Sequence, residues 1–339
     1  MLDAEQVEQA AVMPFHGSAP SDGQKIGWPF HHQKRFITID IICYFDAMDA
    51  RDLATFAAVA RLGGMGRAAR ELNTVQSNVT QRVRRLEQSL GVALFERHRV
   101  GAKLTAAGRR LMPYVGRIDA LLAEASRAAR DDGAPLGTLT VGSLETTAAL
   151  RLSPLLASYA SAHPHVDLVL RTGTTAELVE RVLDRELEGA FVCGPLSHPD
   201  LVGMPVFDEE LALLSAPSKR SLADILRQPD LRLVILRAGC SYRQRLEEIL
   251  ARRGIVGLRR LEFGTLEAIL GAVAADLGIT LMPRSLVGKI WRGGRIAAHR
   301  LPPAEAKVQT IFVRRRDMLC SSALSAFQRH VVGRRATKD

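Results

Sequence analysis

Residues 68–91, AARELNTVQSNVTQRVRRLEQSLG, restrict the fold of this chain more tightly than any other stretch. Val75, Val79, Val83, Leu86 and Leu90 recur at steps of four, four, three and four. That spacing predicts a helix with one narrow buried stripe, closed by Gly91. Once the stripe faces a core, Gln76, Ser77, Asn78, Thr80, Gln81, Arg82 and Arg85 must spread over the remaining surface. Upstream, Leu53, Phe56, Ala57, Val59 and Ala60 share one helical face, which Gly63 and Gly64 terminate. A short helix over about 66–72 follows, and Asn73 turns the chain into the striped helix, with Thr74 placed to cap it. The arrangement predicts a helix-turn-helix.

The polar set on the second helix is chemically selective. Gln and Asn can pair bidentately with adenine, Arg with guanine, and Ser or Thr with several base edges, so this is the set that reads a major groove. Between Met48 and Gly108 there are ten Lys or Arg against five Asp or Glu. Arg97, Arg99 and Lys103 fall in VALFERHRVGAKLT, two short strands around a glycine turn, which suits a wing lying along phosphates. A polar helix face is by itself usually only a solvated face. The preceding helix, the turn and the basic hairpin together favour double-stranded DNA.

The formal charge of +10 and the pI near 9.9 also favour a polyanion, although charge does not separate nucleic acid from a membrane surface. No apolar run approaches the length of a membrane span, and MLDAEQVEQAAVMPFHG lacks a basic segment followed by an apolar one. Cys43, Cys193, Cys240 and Cys320 are scattered without a CxxC pair, as in a reducing compartment. A cytoplasmic protein without a membrane partner is expected. Its 339 residues allow two or three domains.

Residues 1–47 read as a flexible or mis-called extension: GSAPSDGQKIGWPFHHQKR is rich in turn formers, and His31 and His32 fit a solvated tail better than a metal site. A helix-turn-helix domain over 48–108 is followed by a helix, hinge and linker over 109–136. That helix, from about 105 to 130, contains Pro113 and Gly116, where it could bend. Leu111, Val115, Ile118, Leu121, Leu122 and Ala125 form its apolar seam. One recognition helix reads only a few base pairs, so a seam that pairs two copies is expected. After Gly137, TLTVGS, VDLVLRTG and LEGAFVCG alternate with helical segments, and a second such series runs from LRLVILRAG to ITLMP. Alternation of this kind predicts parallel α/β sheets in two similar halves, ending near residue 332, with a tail over 333–339.

DLATFAAVARLGGMGRAARELN, QSNVTQRVRRLEQSLGVALFER and KLTAAGRRL occur in the order and spacing of one family. Through them, residues 48 to about 332 resemble a LysR-type transcriptional regulator. The resemblance implies an α+β multidomain chain. Its parts would be an N-terminal winged helix-turn-helix, a long linker helix that dimerises, and a C-terminal pair of Rossmann-like α/β subdomains similar to periplasmic binding proteins. On that frame the effector-binding domain spans 137–332, with subdomain I over about 137–213 and 316–332 and subdomain II over about 214–315. Family members commonly carry Ser just before the Gln that opens the recognition helix. Here Val75 stands there, with Thr74 one place earlier, which ranks Gln76 below Gln81 and Arg82 for base contact.

Chemistry for catalysis is not evident in the second half. His163 and His165 flank a proline without a ligand set, Ser143 in VGSLE is not a nucleophile elbow, and neither a dinucleotide fingerprint nor a phosphate-binding loop occurs. Cys240 reads as a buried small residue at a helix start. No enzyme activity, cofactor or metal is expected. What recurs is a strand ending at a helix start with small polar side chains: Ser143, Thr146, Thr147, Thr174, Cys193, Ser241 and Thr265. Such ends point into the crevice where open α/β sheets bind ligands. These residues are expected to line an effector cleft, with Arg237, Tyr242 or Arg243 available to an acidic ligand. The implied function is a sequence-specific regulator, a homodimer or homotetramer, whose promoter binding responds to a small molecule. The alternative is a small-molecule-binding protein or enzyme that uses the helix-turn-helix to dock a protein, which would call for an apolar recognition face.

Overall fold

A computed structural model describes residues 48–98, 101–219, 221–228, 230–289, 291 and 295–335. The expected extension over 1–47, Arg99 and the residues beyond 335 lie outside the described residues.

Helices α1 (Ala50–Leu62), α2 (Met65–Glu71) and α3 (Gln76–Leu90) pack around Leu53, Phe56, Val59, Ala68, Val79, Val83 and Leu86. Asp49 caps α1 by accepting from the Arg51 N–H at 2.8 Å. Asn73, at φ 48°, makes the turn before α3, and Gly91, at φ 67°, closes that helix in the left-handed conformation. Val79, Val83 and Leu86 are buried as the periodicity requires, and Leu90 is half-buried. Val75 is not part of the stripe: it is 65% exposed. Its backbone is extended (φ −88°, ψ 150°), one residue before the first helical turn, so the helical repeat does not reach it.

The hairpin of β1 (Phe95–His98) and β2 (Gly101–Leu104) is antiparallel and sits against the end of α1. The Ala102 N–H donates to the Gly63 carbonyl at 3.0 Å. Gly101, at φ 153°, is required there, because a Cβ would lie 2.3 Å from that same carbonyl oxygen. From the recognition helix, Glu87 accepts from the N–H groups of Leu94 and Phe95 at 2.8 and 3.2 Å, tying the wing to α3.

Helix α4 (Ala106–Arg130) starts at Thr105, whose hydroxyl accepts from the Gly108 N–H at 3.0 Å, and runs on through Pro113. The apolar seam divides. Leu111 and Val115 pack into the helix-turn-helix core, while Ile118, Leu121, Leu122 and Ala125 face outward.

Beyond the linker, β3 (Gly137–Ser143), β4 (Val166–Thr172) and β5 (Gly189–Cys193) form the parallel end of a mixed sheet, with β4 at its edge. α5 (Glu145–Thr147) leads through a π-turn into α6 (Ser153–Ala162), and α7 (Thr175–Leu183) joins β4 to β5. The strand β6 (Leu201–Ser215) is twice as long as its sequence suggests. Gly203 and Pro205 mask its first half, where a bulge opposite Thr310 and Ile311 accommodates the proline.

The second series contributes α8 (Leu222–Leu226), β7 (Arg232–Leu236), α9 (Ser241–Ala251), β8 (Arg259–Phe263), α10 (Leu266–Ala274), β9 (Thr280–Pro283) and β10 (Ala297–Arg300). β7 and β8 are parallel, whereas β9 and β10 run antiparallel to β6. β11 (Lys307–Arg315) departs from the expected division, which assigned it to the second subdomain. It pairs antiparallel with both β5 and β6, inside the first subdomain's sheet. Its burial alternates only as far as Thr310; Ile311, Phe312 and Val313 are buried in succession, which needs cover on both faces, and the central position provides it. The chain closes with α11 (Ser322–Arg335), which packs on α6 through Tyr159 and Phe327. The seven-stranded sheet is therefore mixed, whereas β7 and β8 form a separate, purely parallel pair. Among the described residues no helix is long and apolar enough to cross a membrane.

Candidate nucleic-acid interface and effector cleft

The polar face of α3 survives folding only in part. Gln76, Ser77, Gln81 and Arg85 are exposed, and Asn78 and Thr80 are half-buried. Thr80 donates to the Gln76 carbonyl at 2.9 Å, a bond within the helix. Thr74 does not cap α3: the cap position is Val75, which offers no side-chain acceptor, and Thr74 accepts instead from the Asn78 amide at 2.9 Å. Arg82 also departs from its expected role. Its Nη1 lies 3.2 Å from the Asp52 carboxylate, which is buried in α1, and the Arg85 Nε lies 3.3 Å from the other oxygen. Sequence periodicity put Arg82 on the open face, but a buried carboxylate one helix away recruits it, because an unpaired buried charge is costly. Gln81 stays free to the solvent side. Lys103 is exposed on β2; the Arg97 side chain, like Arg99, lies outside the described residues.

The cleft lies at the carboxyl ends of β3, β4, β5 and β7, where α5, α7 and α9 begin. Of the seven expected residues it gathers Thr146, Thr174, Cys193 and Ser241. The other three are turned to structure. Ser143 is buried and donates to the Leu144 carbonyl, Thr147 is buried outside the lining, and Thr265 caps α10 through the Ala268 N–H at 3.3 Å. Thr174 both lines the cleft and caps α7 in a reciprocal box with Glu177.

Glu145, Thr175, Arg237, Cys240 and Tyr242 complete the polar lining, beside Leu144 and Leu236. Arg237 and Tyr242 were among the residues expected to meet an acidic ligand, but Arg243 points away, toward Glu247 and Glu262. Glu145 was missed, because a glutamate opening a helix looks like an ordinary dipole partner. Burial raises its carboxyl above the usual range, against the opposing pull of Arg237. Thr146 Oγ1 is sealed from solvent and completes no well-formed hydrogen bond, although it lies within the influence of the Tyr242 hydroxyl. Burial pushes the Cys193 thiol up to about 11 and raises that of Cys240 as well, so both stay protonated and inert near neutrality.

Two contacts close the mouth. Arg237 donates to both oxygens of Glu177, at 2.9 and 3.0 Å, and the Ala176 N–H donates to the Gly239 carbonyl at 3.4 Å. At its far end α7 meets the linker helix. Arg117 donates to Asp184 at 2.7 Å, and Arg185 pairs with Glu124 and, at 2.8 Å, with Asp317. Arg185 holds a left-handed backbone at φ 64°. A further tie comes from Asp131, past the end of α4, which accepts from the Ser322 N–H at 2.7 Å at the start of α11.

Known proteins share this construction. Residues 50–109 match the family described as bacterial regulatory helix-turn-helix protein, lysR family, and residues 132–336 match the LysR substrate binding domain. The chain is 43% identical over 284 residues to the HTH-type transcriptional regulator GltR of Bacillus subtilis, covering 84% of this chain and 96% of that one. It is 38% identical over 280 residues to the regulator CzcR of Bacillus anthracis, covering 83% and 96%. Among solved structures, CbnR, a LysR family transcriptional regulator, aligns with a TM-score of 0.63 at 27% identity over 86% of this chain and 100% of its own. CbnR complexed with its target DNA aligns with the same score and identity, over 84% and 99%. With both domains matched in order and nearly the full length of its relatives covered, this chain belongs to the LysR family of DNA-binding transcriptional regulators.

Proposed function

We propose that this regulator reads operator DNA through the exposed face of α3, led by Gln81, and that a small molecule in the cleft between the α/β subdomains resets the geometry of a homodimer or homotetramer on its promoter. The carrying observation is Gln81 itself, exposed on a helix whose opposite stripe is buried, with Gln76, Ser77 and Arg85 beside it. CbnR supports the reading, since that relative is seen with its target DNA. Selection of duplexes from a random pool, followed by gel shifts with Gln81→Ala, tests it. Loss of a bidentate base contact should cost roughly 1–3 kcal/mol at one base pair and little elsewhere.

Helix α7 is the element we assign to the coupling. Nine residues long, it spans about 13 Å, with Thr174 and Glu177 at the cleft and Asp184 and Arg185 against α4. A ligand that replaces the Glu177–Arg237 pair would move one end of a rigid rod whose other end grips the dimerisation helix. Its effect is a shift between two populations, set by the ligand's preference for one of them.

A further inference from the structure

We propose that Val75 reads a thymine, by packing its isopropyl group on the C5-methyl in the major groove; the inference rests on the proposal that α3 enters DNA.

Three observations carry it. Val75 lies at the N-terminal tip of α3, the part of a recognition helix that meets base edges, and is 65% exposed although Val79 and Val83 behind it are completely buried. It occupies the cap position, where Ser, Thr, Asp or Asn would bond to the first-turn amides and stabilise the helix. Valine forgoes that bond, and among the described residues no side chain is seen to replace it; the Thr74 hydroxyl accepts from the Asn78 amide instead. The first turn of α3 also lacks any acidic residue, so nothing repels an approaching phosphate from its unsatisfied N–H groups.

A single exposed apolar side chain is ordinary on a protein surface. This one adjoins in sequence the exposed hydrogen-bonding residues Gln76 and Ser77, and it cannot itself pair with a polar base edge. The one apolar feature that a major groove displays is the thymine methyl. Val75 is thus positioned to add a preference for T over C that the neighbouring amides do not supply.

The test removes only that methyl. Duplexes selected by the wild-type full chain from a random pool are resynthesised with each thymine replaced singly by deoxyuridine, and binding is measured for the wild type, Val75→Ala and Val75→Ser. At one thymine in each half-site the replacement should weaken wild-type binding about fourfold, the worth of one buried methyl. Val75→Ala and Val75→Ser should bind the thymine and deoxyuridine duplexes alike. Serine restores a helix cap, so its result is free of any loss of folding. The inference is overturned if no deoxyuridine duplex differs for the wild type, or if both variants keep the wild-type sensitivity. Failure of the wild type to enrich any duplex would instead remove the DNA-reading proposal, and this one with it.

Discussion

Arg237 and Glu177 form a two-point pair beside the candidate cleft, Nε and Nη2 each donating to one carboxylate oxygen. The same carboxylate accepts from the Thr174 N–H at 2.9 Å, so one side chain caps α7 and latches the cleft.

The latch should depend on pH in one direction. The Thr174 N–H and then the Arg237 guanidinium hold the Glu177 carboxyl below its ordinary value near 4.5. A depressed acid stabilises the folded state above its unfolded value, and that contribution is lost as pH falls through the folded value. Both partners are more than a third exposed, so the effect is small, at most about 1 kcal/mol. Melting curves should show Glu177→Gln less stable than the wild type above about pH 5, with the gap shrinking at lower pH. A gap that widens on acidification would contradict the assignment.

Arg82 and Gln81 should separate stability from recognition. Arg82→Ala leaves buried Asp52 with Arg85 alone and should lower the melting temperature, at a cost of roughly 1–3 kcal/mol, weakening binding to every DNA sequence alike. Gln81→Ala should leave stability within about 0.5 kcal/mol while relaxing one base preference. Denaturant melts beside gel shifts decide the matter.

Uncoupling is expected at the far end of α7. Glu124→Gln removes the charge opposite Arg185 and leaves both the cleft and the recognition helix untouched. Ligands found by thermal-shift screening should still bind, and DNA affinity without ligand should hold. The ligand-dependent change in affinity, about 1–3 kcal/mol for a typical allosteric pair, should shrink. Paired titrations with and without ligand measure it.

Leu121 and Leu122 are each about half exposed on α4, where a second copy would cover them. Leu121→Glu with Leu122→Glu should shift sedimentation toward the monomer and cut DNA affinity well over tenfold, since a monomer holds one half-site. The melting temperature of the helix-turn-helix, whose core uses Leu111 and Val115 instead, should change little.

Much of this architecture is legible in the chain. Val79, Val83 and Leu86 announce a buried stripe, Gly91 announces its end, and the glycine at 101 marks the wing, because these depend on backbone geometry within a few residues. Site residues were legible by half. Thr146, Thr174, Cys193 and Ser241 reach the cleft as their strand-end positions suggest, whereas Ser143 and Thr265, at equivalent positions, spend their hydroxyls on nearby backbone. Nothing local distinguishes a hydroxyl that caps from one that faces a ligand.

Read alone, the chain determined where most helices and strands lie and which face of α1 and α3 is apolar, since propensity and periodicity act over one or two turns. Packing decided the rest. It placed β11 between β5 and β6, drew Arg82 inward to Asp52, stood Val75 out in solvent and joined Glu177 to Arg237 across 60 residues. Each of these turns on a partner distant in sequence, and the energy of burying or pairing a charge is set by that partner, not by the residue's neighbours.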